Sequence, residues 1–146
     1  MDDIKSVNII KTPYDLDGRE IVCYPNLILY AKIKVPRMFM KPRIVYSAIT
    51  VDLVRGEAAL SNMFPEYEPL NIDSSALIKS AISIEKSVAK TEKLLIKWAR
   101  HKYKIYTVPE IEILKQEKVY KAFFYTEFKD QKLLVDSVKG VETSAM

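Results

Sequence analysis

The chain has 146 residues, a formal net charge of +4, 49% hydrophobic and 29% charged residues. That length supports one self-sufficient core, and that balance excludes both a disordered chain and a bundle of membrane spans, since no apolar run approaches the roughly 20 residues a spanning helix needs. One cysteine and one histidine exclude an intrachain disulfide and any multi-cysteine zinc site, and no residue pattern calls for a metal or cofactor.

In chain order, Met1-Asp2-Asp3-Ile4-Lys5 starts acidic and carries no apolar export segment, so a cytoplasmic location is expected. A short apolar run over 4–11 precedes the turn cluster Thr12-Pro13-Tyr14-Asp15-Leu16-Asp17-Gly18, which punctuates the chain strongly. Residues 20–35 form a strand pattern with Leu27, Leu29, Ala31, Ile33 and Val35 on one face and Ile28, Tyr30, Lys32 and Lys34 on the other; the second face becomes polar as a half-exposed strand does. Pro36 and Pro42 bracket Arg37-Met38-Phe39-Met40-Lys41, and a β-branched strand follows over 43–55. Residues 62–69, with Pro65 and Pro69, read as a connector with large apolar side chains.

One long helix follows, over about 74–102, with Asp73 or Ser74 as its N-cap and Pro109 beyond its end. Three further strands are expected over 108–115, 119–128 and 132–141, with Lys129-Asp130-Gln131 as the tight connection between the last two.

The phrase Val51-Asp52-Leu53-Val54-Arg55-Gly56 returns as Val135-Asp136-Ser137-Val138-Lys139-Gly140 in a chain with three glycines. Ile28-Leu29-Tyr30 likewise matches Phe123-Phe124-Tyr125. The expected fold is therefore a single α+β domain over 1–146: an antiparallel sheet from two degenerate β-β-β units, at about 4–60 and 108–142, with the long amphipathic helix between them packed on the sheet. The final phrase, after a helix and hairpin, resembles the end of a PepSY-type repeat over about the last third of the chain, and no activity or site residue is carried over from it.

On the helix, Leu77, Ala81, Ile84, Val88, Leu95 and Ala99 share an apolar arc, widened by Ile78, Ala89 and Ile96, while Lys79, Lys86, Lys90, Lys93 and Lys97 project together on the opposite side. Residues 79–104 hold eight Lys or Arg and two Glu, a net of +6, so the remainder of the +4 chain is −2. With Arg100, this stripe is either a solvated outer face or a candidate site for a phosphate backbone or anionic surface. Glu85 and Glu92 project about 60° to 80° from Leu77, inside the apolar arc; they are candidates for an inward acid–base pair, or for carboxylates paired by a Lys or Arg from the sheet.

Other candidates carry a bland alternative. Asp52 and Asp136 could converge as a dyad, or could each satisfy the N–H groups of a turn. Cys23 is either a small buried hydrophobe or a reactive thiol, and Cys–His chemistry would require it to meet His101, which also suits a helix C-terminus. Tyr120, Phe123, Phe124, Tyr125 and Phe128 could stack on bases, but their alternating parity implies a strand covered on both faces. Together these features predict a non-enzymatic binding or assembly module, homodimeric because the helix arc and two-faced aromatic strand exceed what one sheet face covers. Alternatives are a nucleic-acid-associated protein using the basic helix face, and a small-ligand protein or enzyme with a pocket between helix and sheet.

Overall fold

A computed structural model describes residues 3–61, 63–138 and 142–144, apart from the side chains of 128 and 142–144. The strands are β1 (Ile4–Ile10), β2 (Ile21–Arg37), β3 (Met40–Asp52), β4 (Ala58–Ser61), β5 (Tyr67–Asp73), β6 (Glu110–Phe128), β7 (Gln131–Asp136) and β8 (Glu142–Ser144). A 3-10 turn at Ser74–Ala76 and the helix α1 (Ile84–Tyr103) lie between β5 and β6. The fold is mixed α+β with a mostly antiparallel sheet in the order β4-β3-β2-β6-β1-β5, with β7 on β6 and β8 on β7. The residues group into two compact units, one of 1–26, 65–80 and 118–146, the other of 27–64 and 81–117. Each unit is thus interleaved from distant segments, where the sequence phrase suggested sequential halves.

In the second unit, the alternation of β2 is what builds the core. Leu27, Leu29, Ala31, Ile33 and Val35 are all buried and pack with Ile49, Val51 and Leu53 and with Leu95 and Ala99 of α1. β4 extends this hairpin, pairing Val51 with Ala58 and Ala48 with Ser61. A period of two on β2 meets an i, i+4 row on α1, so one apolar face serves each element.

The helix begins ten residues later than its composition predicts. Ser83 is the N-cap, its Oγ accepting from the Lys86 N–H at 3.2 Å, and Lys104 ends the helix in the left-handed region at φ 51. Asp73 does cap, but it caps the 3-10 turn, its Oδ1 accepting from Ser75 N–H at 2.9 Å. The intervening residues spend their N–H groups elsewhere: Ile78 donates to the Cys23 carbonyl at 2.9 Å, and Ala81 and Ile82 donate to the Leu53 carbonyl at 2.8 and 3.0 Å. Helix propensity is a weak preference that such tertiary hydrogen bonds override.

In the first unit, β1 and β5 pair antiparallel from Ile4↔Asp73 to Ile10↔Tyr67, and β1 meets β6 in parallel at Ile9↔Tyr120. The connector expected at 62–69 therefore includes the start of a strand. Pro69 is tolerated opposite Asn8 because β5 ends the strand order, where a missing N–H is not needed by a further neighbour. The core holds Cys23, Ile72 and Ala122, with Val7, Leu70, Leu77 and Tyr120 packed on it.

The two strands expected over 108–128 are one continuous β6. The residues left between those two ranges, Gln116-Glu117-Lys118, are polar, and a strand carries such residues when their side chains are not in the core; Gln116 and Lys118 are exposed. β6 turns into β7 through Lys129 and Asp130, both with positive φ (51 and 62), as a two-residue hairpin turn requires.

Candidate anion-binding surface

Lys86, Lys90, Lys93, Lys97 and Arg100 are all exposed along α1. Lys79, assigned to the same stripe, precedes the helix and belongs to the first unit, so its helical projection does not apply. From Lys86 to Arg100 the row spans roughly 21 Å at the helical rise. Among the described residues none of its five cations lies within ion-pair distance of a carboxylate; the ion pairs are Lys11–Glu66, Lys121–Asp136 and Lys132–Glu20. An open depression of about 330 Å³ is lined by Lys93, Ile96, Lys97 and Arg100.

Glu85 and Glu92 are exposed, which corrects their expected inward orientation. The buried residues of α1 are Ser87, Thr91, Leu95 and Ala99. Two small polar residues therefore occupy the centre of the packed face and rotate it away from the carboxylates, while Ala89 of the expected arc is exposed and Ile96 is half-buried. Ser87 is compatible with burial because its Oγ donates to the Ser83 carbonyl at 2.9 Å. Thr91 Oγ1, fully buried, has no hydrogen-bond partner among the described residues.

The recurrent aspartates each work at their own turn. Asp52 Oδ1 accepts from Val54 N–H at 2.8 Å and Arg55 N–H at 3.1 Å, and Asp136 Oδ1 accepts from Val138 N–H at 2.9 Å. The closing Lys139-Gly140 of the second copy lies outside the described residues. In the first copy Gly56 has φ 78, and a Cβ there would press on Ile82 Cδ1 and lie 3.4 Å from Lys90 Nζ. The turn thus supports the start of α1, and one cation of the basic row reaches back over it.

The remaining candidates have structural surroundings. Cys23 is fully buried and its thiol is pushed up to about 11 by desolvation, so it is not a thiolate near neutrality. His101 is exposed in the last turn of α1, a position the helix dipole favours for a cation. Tyr14 packs on Phe124 with ring centroids 5.1 Å apart, Tyr24 meets Phe123 edge-on at 5.1 Å, and Lys132 lies 4.3 Å over Tyr125. The chain itself therefore buries Phe124 and leaves Phe123 and Tyr125 half-buried; the Phe128 side chain lies outside the described residues. Among the described residues no group of three metal-ligating side chains occurs, and no helix is long and apolar enough to cross a membrane.

Sequence reasoning passed over the end of the β2–β3 hairpin, where Met38, Phe39 and Met40 are 81%, 99% and 62% exposed. No local signal marked it: the segment between Pro36 and Pro42 lacks the Gly, Asn or Asp that a tight turn favours. No family model, no curated protein and no solved structure matches the chain.

Proposed function

We propose that this protein is a non-enzymatic binding module for an anionic partner, engaged along α1. The observation that carries the reading is the row Lys86, Lys90, Lys93, Lys97 and Arg100, exposed and without a carboxylate at ion-pair distance among the described residues. Cations on one face at successive helical turns produce a positive potential that attracts phosphate or other anionic groups and weakens with salt. The homodimer expected from surplus apolar surface stays a second reading: Ala81, Ile84 and Ala89 of the arc are exposed, and Tyr120, Phe123 and Tyr125 of the aromatic strand are half-buried. A pocket using Glu85 and Glu92 has no support from their exposed positions.

Beneath this function we read the architecture as a degenerate duplication: β2–β3 and β6–β7 are hairpins, and each is followed by an Asx turn at its aspartate. A cytoplasmic setting accords with a buried, protonated lone cysteine.

Heparin affinity chromatography tests the function. The parent protein is expected to be retained at low salt, and Lys86→Glu, Lys90→Glu, Lys93→Glu and Lys97→Glu together should abolish retention while leaving the far-ultraviolet spectrum unchanged. A parent that passes straight through, or a charge-reversed variant that elutes with it, overturns the reading.

A further inference from the structure

The β2–β3 hairpin turns through Met38 and Phe39, and Phe39 adopts φ 61. Position two of such a turn favours glycine or asparagine, because a Cβ is strained there. The turn between β6 and β7 uses polar Lys129 and Asp130 instead. A bulky apolar residue held at positive φ, 99% exposed, gains nothing from folding; strain retained in this way is a pointer to function.

A second exposed apolar segment shares this end of the second unit. Val35 and Val45, near the hairpin turn, belong to the same packed cluster as Tyr103 and Ile105. The Arg43 guanidinium lies 5.2 Å from the Tyr103 ring centroid. Just beyond Tyr103, Tyr106 and Val108 are 92% and 62% exposed. Around these side chains Arg37, Lys41, Arg43, Lys102 and Lys104 are exposed. Neither 21–51 nor 93–109 contains an acidic residue.

Resting on the anion-binding reading above, we propose that its partner is an anionic lipid bilayer surface, met by this end of the second unit. Met38, Phe39, Met40, Tyr106 and Val108 enter the headgroup boundary while the surrounding cations meet lipid phosphates and carboxylates. This is docking from one side, without a spanning segment. A nucleic acid fits less well, since an apolar wedge enters one base step and three consecutive large side chains have no such place. A second copy fits less well too, because a twofold contact would bring two identical cationic rims together.

Flotation with phosphatidylcholine vesicles, with and without phosphatidylserine, tests the proposal at low and high salt. The parent is expected to float with phosphatidylserine vesicles only, and salt should release it. Phe39→Gly should weaken association about tenfold or more, and Lys41→Glu by at least about fivefold. Phe39→Gly should also raise the urea midpoint by relieving the positive φ, which separates lost binding from lost folding. Failure of the parent to float, equal floating with both vesicles, or a Phe39→Gly variant that floats like the parent overturns the proposal. So does binding to an oligonucleotide, or self-association by light scattering, that depends on Phe39. Heparin retention that depends on the α1 lysines, without flotation, removes the lipid and leaves the binding module; absence of both removes both.

Discussion

Lys121 Nζ lies 2.6 Å from Asp136 Oδ2, with the two side chains only 18% and 9% exposed. Asp136 also accepts from the Val138 N–H through Oδ1, so one carboxylate joins the charge of β6 to the turn that ends β7. Removing one partner of a pair this buried leaves a charge poorly solvated. Lys121→Met and Asp136→Asn should each lower stability by on the order of 2–4 kcal/mol, and the double variant by less than their sum. Urea denaturation of the four proteins measures this; single losses under about 0.5 kcal/mol would contradict it.

Gly56 and Gly18 both have positive φ, 78 and 73, but only Gly56 has a neighbour in the way. Gly18→Ala should cost about 1 kcal/mol from backbone conformation alone. Gly56→Ala should cost more, because its methyl meets Ile82 Cδ1. In an Ile82→Val background, which lacks that atom, the excess should disappear. Equal costs for the two glycine substitutions would show that Ile82 yields freely.

Thr91 offers a stabilising substitution. Its hydroxyl is fully buried without a hydrogen bond among the described residues, and valine has nearly the same shape and β-branching. Thr91→Val should therefore raise stability by about 1 kcal/mol, since an unsatisfied buried hydroxyl is a net penalty. A lower thermal midpoint for this variant would refute that expectation.

Cys23 should make stability fall at alkaline pH. Its thiol is raised from 9.0 to about 11 by burial. Below pH 9 both states keep the proton and the group has no effect; between pH 9 and 11 the unfolded chain loses it first, and stability declines. The total decline attributable to Cys23 is about 2–3 kcal/mol. Comparison with Cys23→Ala isolates it from other groups titrating there, and parallel pH profiles for the two proteins would exclude it. In the native protein at pH 8 the thiol should also react with a disulfide reagent far more slowly than after unfolding.

Residues whose fate depends on local periodicity could be read directly. The alternation of Leu27, Leu29, Ala31, Ile33 and Val35 identified the core face of β2, and the i, i+4 spacing of Leu95 and Ala99 identified part of the packed face of α1. The Asx turns at Asp52 and Asp136 were legible because a short carboxylate near a strand end has few other backbone partners. Among the basic residues, the helical spacing of Lys86 to Arg100 was sufficient to place them together on an exposed side.

Helix limits, by contrast, were decided by distant carbonyls. Cys23 and Leu53 accept from Ile78, Ala81 and Ile82, which removes the first ten residues from the expected helix and with them the basis for counting Lys79 in its stripe. Glu85 and Glu92 were misplaced because hydropathy ranks Ser87 and Thr91 as outward residues, whereas close packing selected their small volumes. The exposed Met38-Phe39-Met40 tip was equally out of reach, since an apolar triplet between prolines reads as buried until the strands on either side are seen to pair. Sequence by itself determined the strand alternation, the turns at Asp52, Asp136 and Lys129-Asp130 and the concentration of positive charge, all set within a few residues. Only the tertiary structure decided where the helix starts, which side of it is covered and which apolar residues stay in water, because those depend on hydrogen bonds and packing between segments far apart in the chain.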